Sequence, residues 1–196
     1  MLTYNGLGSF IKQAIEVIEP LVDEIIICDT GSTDGTVEYL KSLMSNYPLI
    51  GKVKVFYEDI QYLGETWANS PKDVRLTELL NELKRQTESE WILKIDDDEI
   101  FPKELMNEIL TMEKKSLIYS VPFLHIGTSL KLHPIKRLFK NIPEISWQGI
   151  YGQETLTYNG RRLSSAECPS TKNFFLHLGS LRKETNDRKH DYSQFV

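Results

Sequence analysis

Cysteine is scarce in this chain: 196 residues carry only Cys28 and Cys168. Two thiols cannot build a disulfide framework, and no CxxC or Cys/His zinc spacing occurs, so a reducing, cytoplasmic setting is expected. Long apolar runs are missing too. None approaches the ~20 residues that span a bilayer, so no membrane span is expected, although peripheral contact with a membrane surface stays compatible with the sequence. The opening MLTYNGLGSF has neither the basic start nor the apolar stretch of a signal peptide. An excess of positive charge is also lacking. Lys and Arg number 23 against 28 Asp and Glu, a net charge of −5, the opposite of a nucleic-acid binder's footprint, so no nucleic-acid partner is expected. What is present, 40% hydrophobic and 26% charged residues, is the balance of a soluble globular domain. The length suits one domain over 1–196.

Helical and strand periods alternate through the first half. Phe10, Ile11, Ala14, Ile15 and Ile18 recur at helical spacing until Pro20, with Ser9 placed to cap that helix. Ile25–Cys28 reads as a buried strand ending at Asp29, and a helix carrying Val37, Leu40 and Met44 follows. Lys52–Glu58 alternates as a strand does. Leu76, Leu79, Leu80 and Leu83 form one helical stripe, Trp91–Ile95 is a further apolar strand, and Pro102 opens a last helix. This order implies an α/β fold, a mostly parallel mixed sheet flanked by helices.

After about residue 116 the character changes. Ser116–Leu124, Ile135–Phe139 and Phe174–Leu178 read as strands, and Asn159-Gly160 between two short runs is a strong hairpin signal. The expectation is a 1–115 ligand-binding half completed by a partly antiparallel 116–196 half.

Two constellations carry chemistry. Asp29-Thr-Gly-Ser-Thr-Asp-Gly-Thr36 follows an apolar strand and precedes a helix, so Asp29 projects where open α/β sheets bind ligands. Ser32, Thr33 and Asp34 read as turn and capping residues, which leaves the Asp29 carboxylate free for a ligand. The second is Asp96-Asp97-Asp98-Glu99, again at a strand end. Four adjacent acids repel one another, and a divalent cation with hard oxygen ligands would neutralise them. Both clusters are expected to end strands of one sheet and face one cleft, where a sugar nucleotide fits.

Thr3-Tyr4-Asn5, then DTGSTDGT, then W-I-L-K-I-DDDE resemble the motifs of family-two glycosyltransferases with the GT-A fold. Lys136–Asn141 and Gly152–Leu156 are similar to later segments of some members. The resemblance implies a nucleotide-sugar donor, with UDP favoured over GDP, Mn²⁺ or Mg²⁺ as cofactor, and a glycan, lipid or protein acceptor. It implies that Thr3 and Tyr4 line and stack the base, that Asp29 hydrogen-bonds it, and that Arg75 touches the diphosphate. Asp98 would be the direct metal ligand, Asp96 or Asp97 would lie nearer ribose and phosphates, with Asp96 also a metal candidate, and late His177 would sit near the metal. Glu154 is the candidate base for inverting transfer, although Gln153 stands where those members carry His. Such members have a full apolar strand ahead of T-Y-N, and only Met1-Leu2 precede it here, so either the first strand is vestigial or, the favoured expectation, it begins further upstream.

Trp67 and Trp147 could stack on sugar rings, with core packing the default. Cys28 reads as a small buried hydrophobe, and nothing singles out His125 or His133. Two other classes stay open: a metal-dependent nucleotidylyltransferase, whose Gly-rich basic signature is absent, and a degenerate protein that binds nucleotide sugar or glycan without turnover.

Overall fold

The apolar spacing of the first half is realised closely in a computed structural model, which describes residues 1–45, 49–58, 75–126, 131–149 and 154–181. Strands β1 (Leu2–Thr3), β2 (Ile25–Asp29) and β3 (Val53–Tyr57) form a parallel sheet in that order. Helices α1 (Ile11–Ile18) and α2 (Thr36–Ser45) connect them. On α1 the residues Ile11, Ala14, Ile15 and Ile18 are buried, one face of a 3.6-residue period. Ser9 does not cap this helix: Phe10 holds the N-cap position without a side-chain bond. The Ser9 hydroxyl instead donates to the Asp97 carbonyl at 3.3 Å.

Helix α3 (Arg75–Arg85) leads to β4 (Trp91–Leu93), β5 (Glu99–Ile100) and α4 (Lys103–Thr111). Long strands β6 (Ile118–His125) and β7 (Leu132–Lys140) follow, and β11 (Phe175–His177) closes the chain's second sheet. That sheet runs β4-β7-β6-β11-β5 and is mixed, since β6 and β11 are parallel and the other pairs antiparallel. Strands β8 (Ile145–Gln148), β9 (Thr155–Tyr158) and β10 (Arg161–Arg162) make a small antiparallel sheet. Its expected hairpin turn is there, with φ of 50° at Asn159 and 74° at Gly160, both left-handed as a two-residue turn of this kind demands.

The sequence places both acidic clusters at the ends of strands in one sheet. The structure separates them into two. Strand β4 is three residues long and spends one edge on β7. Among the described residues no strand pair joins it to β1 or β2. Between β2 and β4 lies an apolar groove of about 470 Å³, lined by Ile25, Ile26, Ile92, Leu93 and Met106 among others. Cohesion comes from beneath: Ile25 and Ile27 of β2 share one buried core with Leu105, Met106 and Ile109 of α4, Val121 of β6, Leu138 of β7 and Phe175 of β11.

One ion pair fastens the base of the first sheet. Glu24, just ahead of β2, takes Lys54 at 2.7 Å and hydroxyls from Thr87 and Ser89. Burial would raise its carboxyl, but hydrogen bonds from Lys54, Thr87 and Ser89 outweigh it and hold the group below the ordinary 4.5. A carboxyl depressed by folding adds stability above its unfolded pKa and loses it as pH falls through the folded one. Glu24→Gln is therefore expected to lower the melting temperature at pH 7, and the gap from the parent should close as the pH is taken down through the acid range below 4.5. A gap that is independent of pH would show that the carboxylate charge is not what Glu24 contributes.

Candidate functional site

Two loops interlock above β1 and β2. Thr30 donates both its backbone N–H and its hydroxyl to the Thr3 carbonyl, at 2.9 and 3.0 Å. Asn5, in the left-handed region at φ 52°, donates its N–H to Ser32 Oγ at 2.7 Å and accepts the Thr33 N–H at 2.8 Å. Gly8 N–H donates to Asp34 Oδ2 at 3.0 Å, and Leu7 N–H to Thr36 Oγ1 at 3.0 Å. Asp34 Oδ1 also accepts the Thr36 N–H at 3.1 Å, the capping role expected of it. The motif residues Asn5, Ser32, Asp34 and Thr36 thus lace one loop to the other. Gly6 is part of this fit, since a Cβ there would overlap Thr3 Oγ1 and sit 3.2 Å from Ile11.

Asp29 departs from expectation. Its carboxylate is not left free: it is 2% exposed, Oδ1 accepts the N–H groups of Gly31 and Ser32 at 3.1 and 2.9 Å, and Oδ2 accepts the Ser32 hydroxyl. The sequence reading assigned capping to neighbours and missed that a strand-end carboxylate folds back on its own turn. Tyr4, beside it, is half-buried.

The second acidic turn is tied to the first loop through Asp97. The Thr3 hydroxyl donates to Asp97 Oδ2 at 2.7 Å, and Phe10 N–H to the Asp97 carbonyl at 3.2 Å. Asp96 and Glu99 are held by cations the sequence reading did not single out. Lys94 pairs with Asp96, and the Arg137 guanidinium reaches Asp96 at 3.0 Å and also Glu99. Burial would raise Asp96, but Lys94 and Arg137 outweigh it and hold its carboxyl well below the usual range. Glu99 goes the other way: burial dominates despite Arg137 and lifts it to about 7. The signals for Arg137 are two adjacent basic residues, Lys136 and Arg137, inside the run Ile135–Phe139 and the likeness of Lys136–Asn141 to a family segment. Its Nε finds no hydrogen-bond partner among the described residues.

Asp98 is only 4% exposed. Strand β5 pairs with β11 so that Glu99 lies opposite His177, and this register carries Asp98 Oδ2 to 3.6 Å from His177 Nε2. His125, opposite His177 on β6, brings its Nδ1 to 2.7 Å from His177 Nδ1. Burial lowers both imidazoles from their ordinary value, with Asp98 opposing the shift in each. Among the described residues no group of three or more His, Cys, Asp or Glu side chains is arranged to hold a metal ion. Asp98 and His177 do converge, and the carboxylate is a hard oxygen ligand of the kind Mn²⁺ or Mg²⁺ takes beside phosphate oxygens and water, with the imidazole as a further nitrogen donor.

Glu154 stands apart, next to β9. It is half-buried, and its Oε2 is buried without a hydrogen-bond partner among the described residues. Arg75 opens α3, but its side chain lies outside the described residues, as do Trp67 and Gln153. Trp147 packs edge-on against Phe139, centroids 6.1 Å apart, which is the core role. Cys28 is fully buried, and burial pushes its thiol up to about 12. His133 is exposed.

A parallel sheet flanked by helices, with a hydroxyl-rich turn at its strand ends tied through Thr3 to the acidic turn of the second, mixed sheet, offers the kind of strand-end site at which open α/β proteins bind ligands. The chain belongs to glycosyl transferase family 2, whose model matches residues 1–159. It is 25% identical over 164 residues to the SPbeta prophage-derived glycosyltransferase SunS of Bacillus subtilis (strain 168), and equally to glycosyltransferase SunS of Bacillus phage SPbeta. The match takes in 81% of this chain and 34% of each relative, so the chain spans about a third of their length. Two crystal structures of S. aureus TarS are similar at 17% and 18% identity, with TM-scores of 0.46 and 0.48. Each covers 65% of this chain, and this chain covers 35% and 21% of theirs. No helix among the described residues is long and apolar enough to cross a membrane.

Proposed function

We propose that the protein transfers a sugar from a nucleotide-sugar donor, UDP-sugar favoured, to an acceptor hydroxyl on a glycan, lipid or protein, with inversion at the anomeric carbon. The observation that carries this reading is the convergence of Asp98 and His177 at 3.6 Å beside the interlocked loops of a family-two chain. Mn²⁺ or Mg²⁺ held by these two residues would supply Lewis acidity against the charge that builds on the leaving diphosphate.

The chain's own groups do the rest. Tyr4 stacks on the base, Thr3 lines its pocket, and Asp29 accepts a base N–H with the lone pairs its loop leaves over. Asp97 holds the acidic turn against Thr3, on the ribose side. Asp96, already paired with Lys94 and Arg137, shapes that turn from the phosphate side. Arg75, at the start of α3, is assigned to the nucleotide or diphosphate by the family resemblance alone. Glu154 takes the proton of the acceptor hydroxyl as its oxygen bonds to the anomeric carbon and the bond from that carbon to the diphosphate breaks. A buried carboxylate oxygen with no partner among the described residues suits a group that awaits a substrate proton.

A thermal-shift series with UDP-, GDP- and dTDP-sugars, with and without Mn²⁺, tests the reading. Stabilisation is expected with a UDP-sugar and to grow with Mn²⁺, because a ligand that binds only the folded state raises its stability. Glu154→Gln should keep that shift and lose about 10²–10³-fold in transfer, the usual contribution of a positioned base. If no donor shifts the melting temperature, the nucleotide-sugar reading falls. Binding without turnover in the parent chain would mark a degenerate binder.

A further inference from the structure

The two histidines at the ends of β6 and β11 are drawn together by a parallel register that sets His125 opposite His177. Their rings meet offset, with centroids 4.6 Å apart and planes 26° apart, and Nδ1 faces Nδ1 at 2.7 Å. At that separation one hydrogen fits between the two nitrogens, so one ring donates and the other accepts. The opposite edge of the His177 ring turns Nε2 toward Asp98 Oδ2 at 3.6 Å, beyond hydrogen-bond reach. Asp98, His177 and His125 therefore stand in line, with His177 between the other two.

We propose that His125 is a positioning residue that accepts the Nδ1 hydrogen of His177 and so leaves a lone pair on His177 Nε2, the nitrogen that faces Asp98. A neutral imidazole carries one hydrogen, and the bond made by one ring nitrogen decides what the other offers. With the hydrogen held at Nδ1, Nε2 is a ligand. With the hydrogen at Nε2, the same ring would point an N–H at the carboxylate and exclude a cation. Partners of this outer kind fix ring orientation and tautomer at metal sites. Phe123, whose ring lies 5.8 Å from that of His177 and 5.5 Å from that of Phe175, packs the imidazole from a third side and offers no competing hydrogen bond. The inference rests on the reading of Asp98 and His177 as a divalent-cation site.

Two measurements test it. Long-range proton–nitrogen NMR on the metal-free full chain, labelled at histidine nitrogen, should show His177 with hydrogen on Nδ1 and bare Nε2, and His125 with the reverse. Hydrogen on His177 Nε2 would overturn the proposal. Titration with Mn²⁺ followed by electron paramagnetic resonance should then show weaker binding by about 10–100-fold in His125→Phe, which keeps a ring but has no acceptor. His125→Asn, whose side-chain oxygen can accept, should recover most of that loss, and circular dichroism identifies any variant that fails to fold. Parent-like Mn²⁺ affinity in folded His125→Phe would remove the role of His125 alone. A parent chain that binds no Mn²⁺ would instead remove the cation reading and, with it, the purpose assigned to His125.

Discussion

Asp98→Ala is expected to abolish Mn²⁺ binding and to lower glycosyl transfer by about 10³-fold, with the fold intact. The size follows from removing the carboxylate that would hold a Lewis acid worth several kcal/mol, at about 1.4 kcal/mol per tenfold in rate. The fold should persist because what Asp98 gives the backbone does not depend on its side chain: its carbonyl accepts the Leu178 N–H at 2.8 Å, and alanine keeps that bond. Loss of one acid from a buried run of three also relieves repulsion, so the melting temperature of the metal-free variant should match or exceed the parent's. Steady-state transfer, Mn²⁺ titration and calorimetry check the three parts separately. Turnover at the parent rate would remove Asp98 from the site.

Arg137→Met should be the most damaging single change to stability. Arg137 is 6% exposed, and it spans Asp96 and Glu99, the latter 1% exposed. Methionine fills much the same volume but leaves the buried Glu99 carboxyl without its cation, while the more exposed Asp96 keeps Lys94. Breaking a buried pair in this one-sided way costs about 3–5 kcal/mol, which for a chain of this size is about 6–20 °C in melting temperature. The double variant Arg137→Met, Glu99→Gln should regain part of the loss, since it removes the acid left without a partner. If it gains nothing, the Arg137–Glu99 contact is not where the energy lies. The two variants separate two functions of one turn. Asp98 is expected to matter for turnover and little for folding, Arg137 for folding first.

The helices and the parallel strands of the first half are legible in the sequence because each buries one side. Ile11, Ala14, Ile15 and Ile18, or Ile25 and Ile27, repeat at the period of their element and meet one common core. The Asn159-Gly160 turn is legible for a different reason, since its backbone conformation admits few residue types. Strand β5 has no such signature. It is two residues at the end of an acidic run, and it exists because β11 pairs with it from far along the chain. The same long-range pairing places His177 against Asp98 and His125 against His177, and no local pattern announces it. Asp29 shows the opposite failure. Its type and place were read correctly, but the three donors of its own turn that occupy the carboxylate arise only once the loop closes. The pairing of Lys94 and Arg137 is not legible because a basic residue in a strand gains that role only when its partner acids are in place.

The seam between β2 and β4 has a mechanical consequence. A hydrogen-bonded ladder resists sliding, because any shift along the strands breaks every rung at once. Across this seam no ladder is formed among the described residues. The two sheets are joined by shared apolar packing and by short polar ties such as Thr3 to Asp97. Apolar contacts are non-directional, and small sliding of packed elements is one of the established modes of domain motion. The loop that holds Asp29 and the turn that holds Asp98 are therefore joined, among the described residues, by shared packing and short polar ties and by no strand ladder. A ligand gripping both would act as the bolt between them.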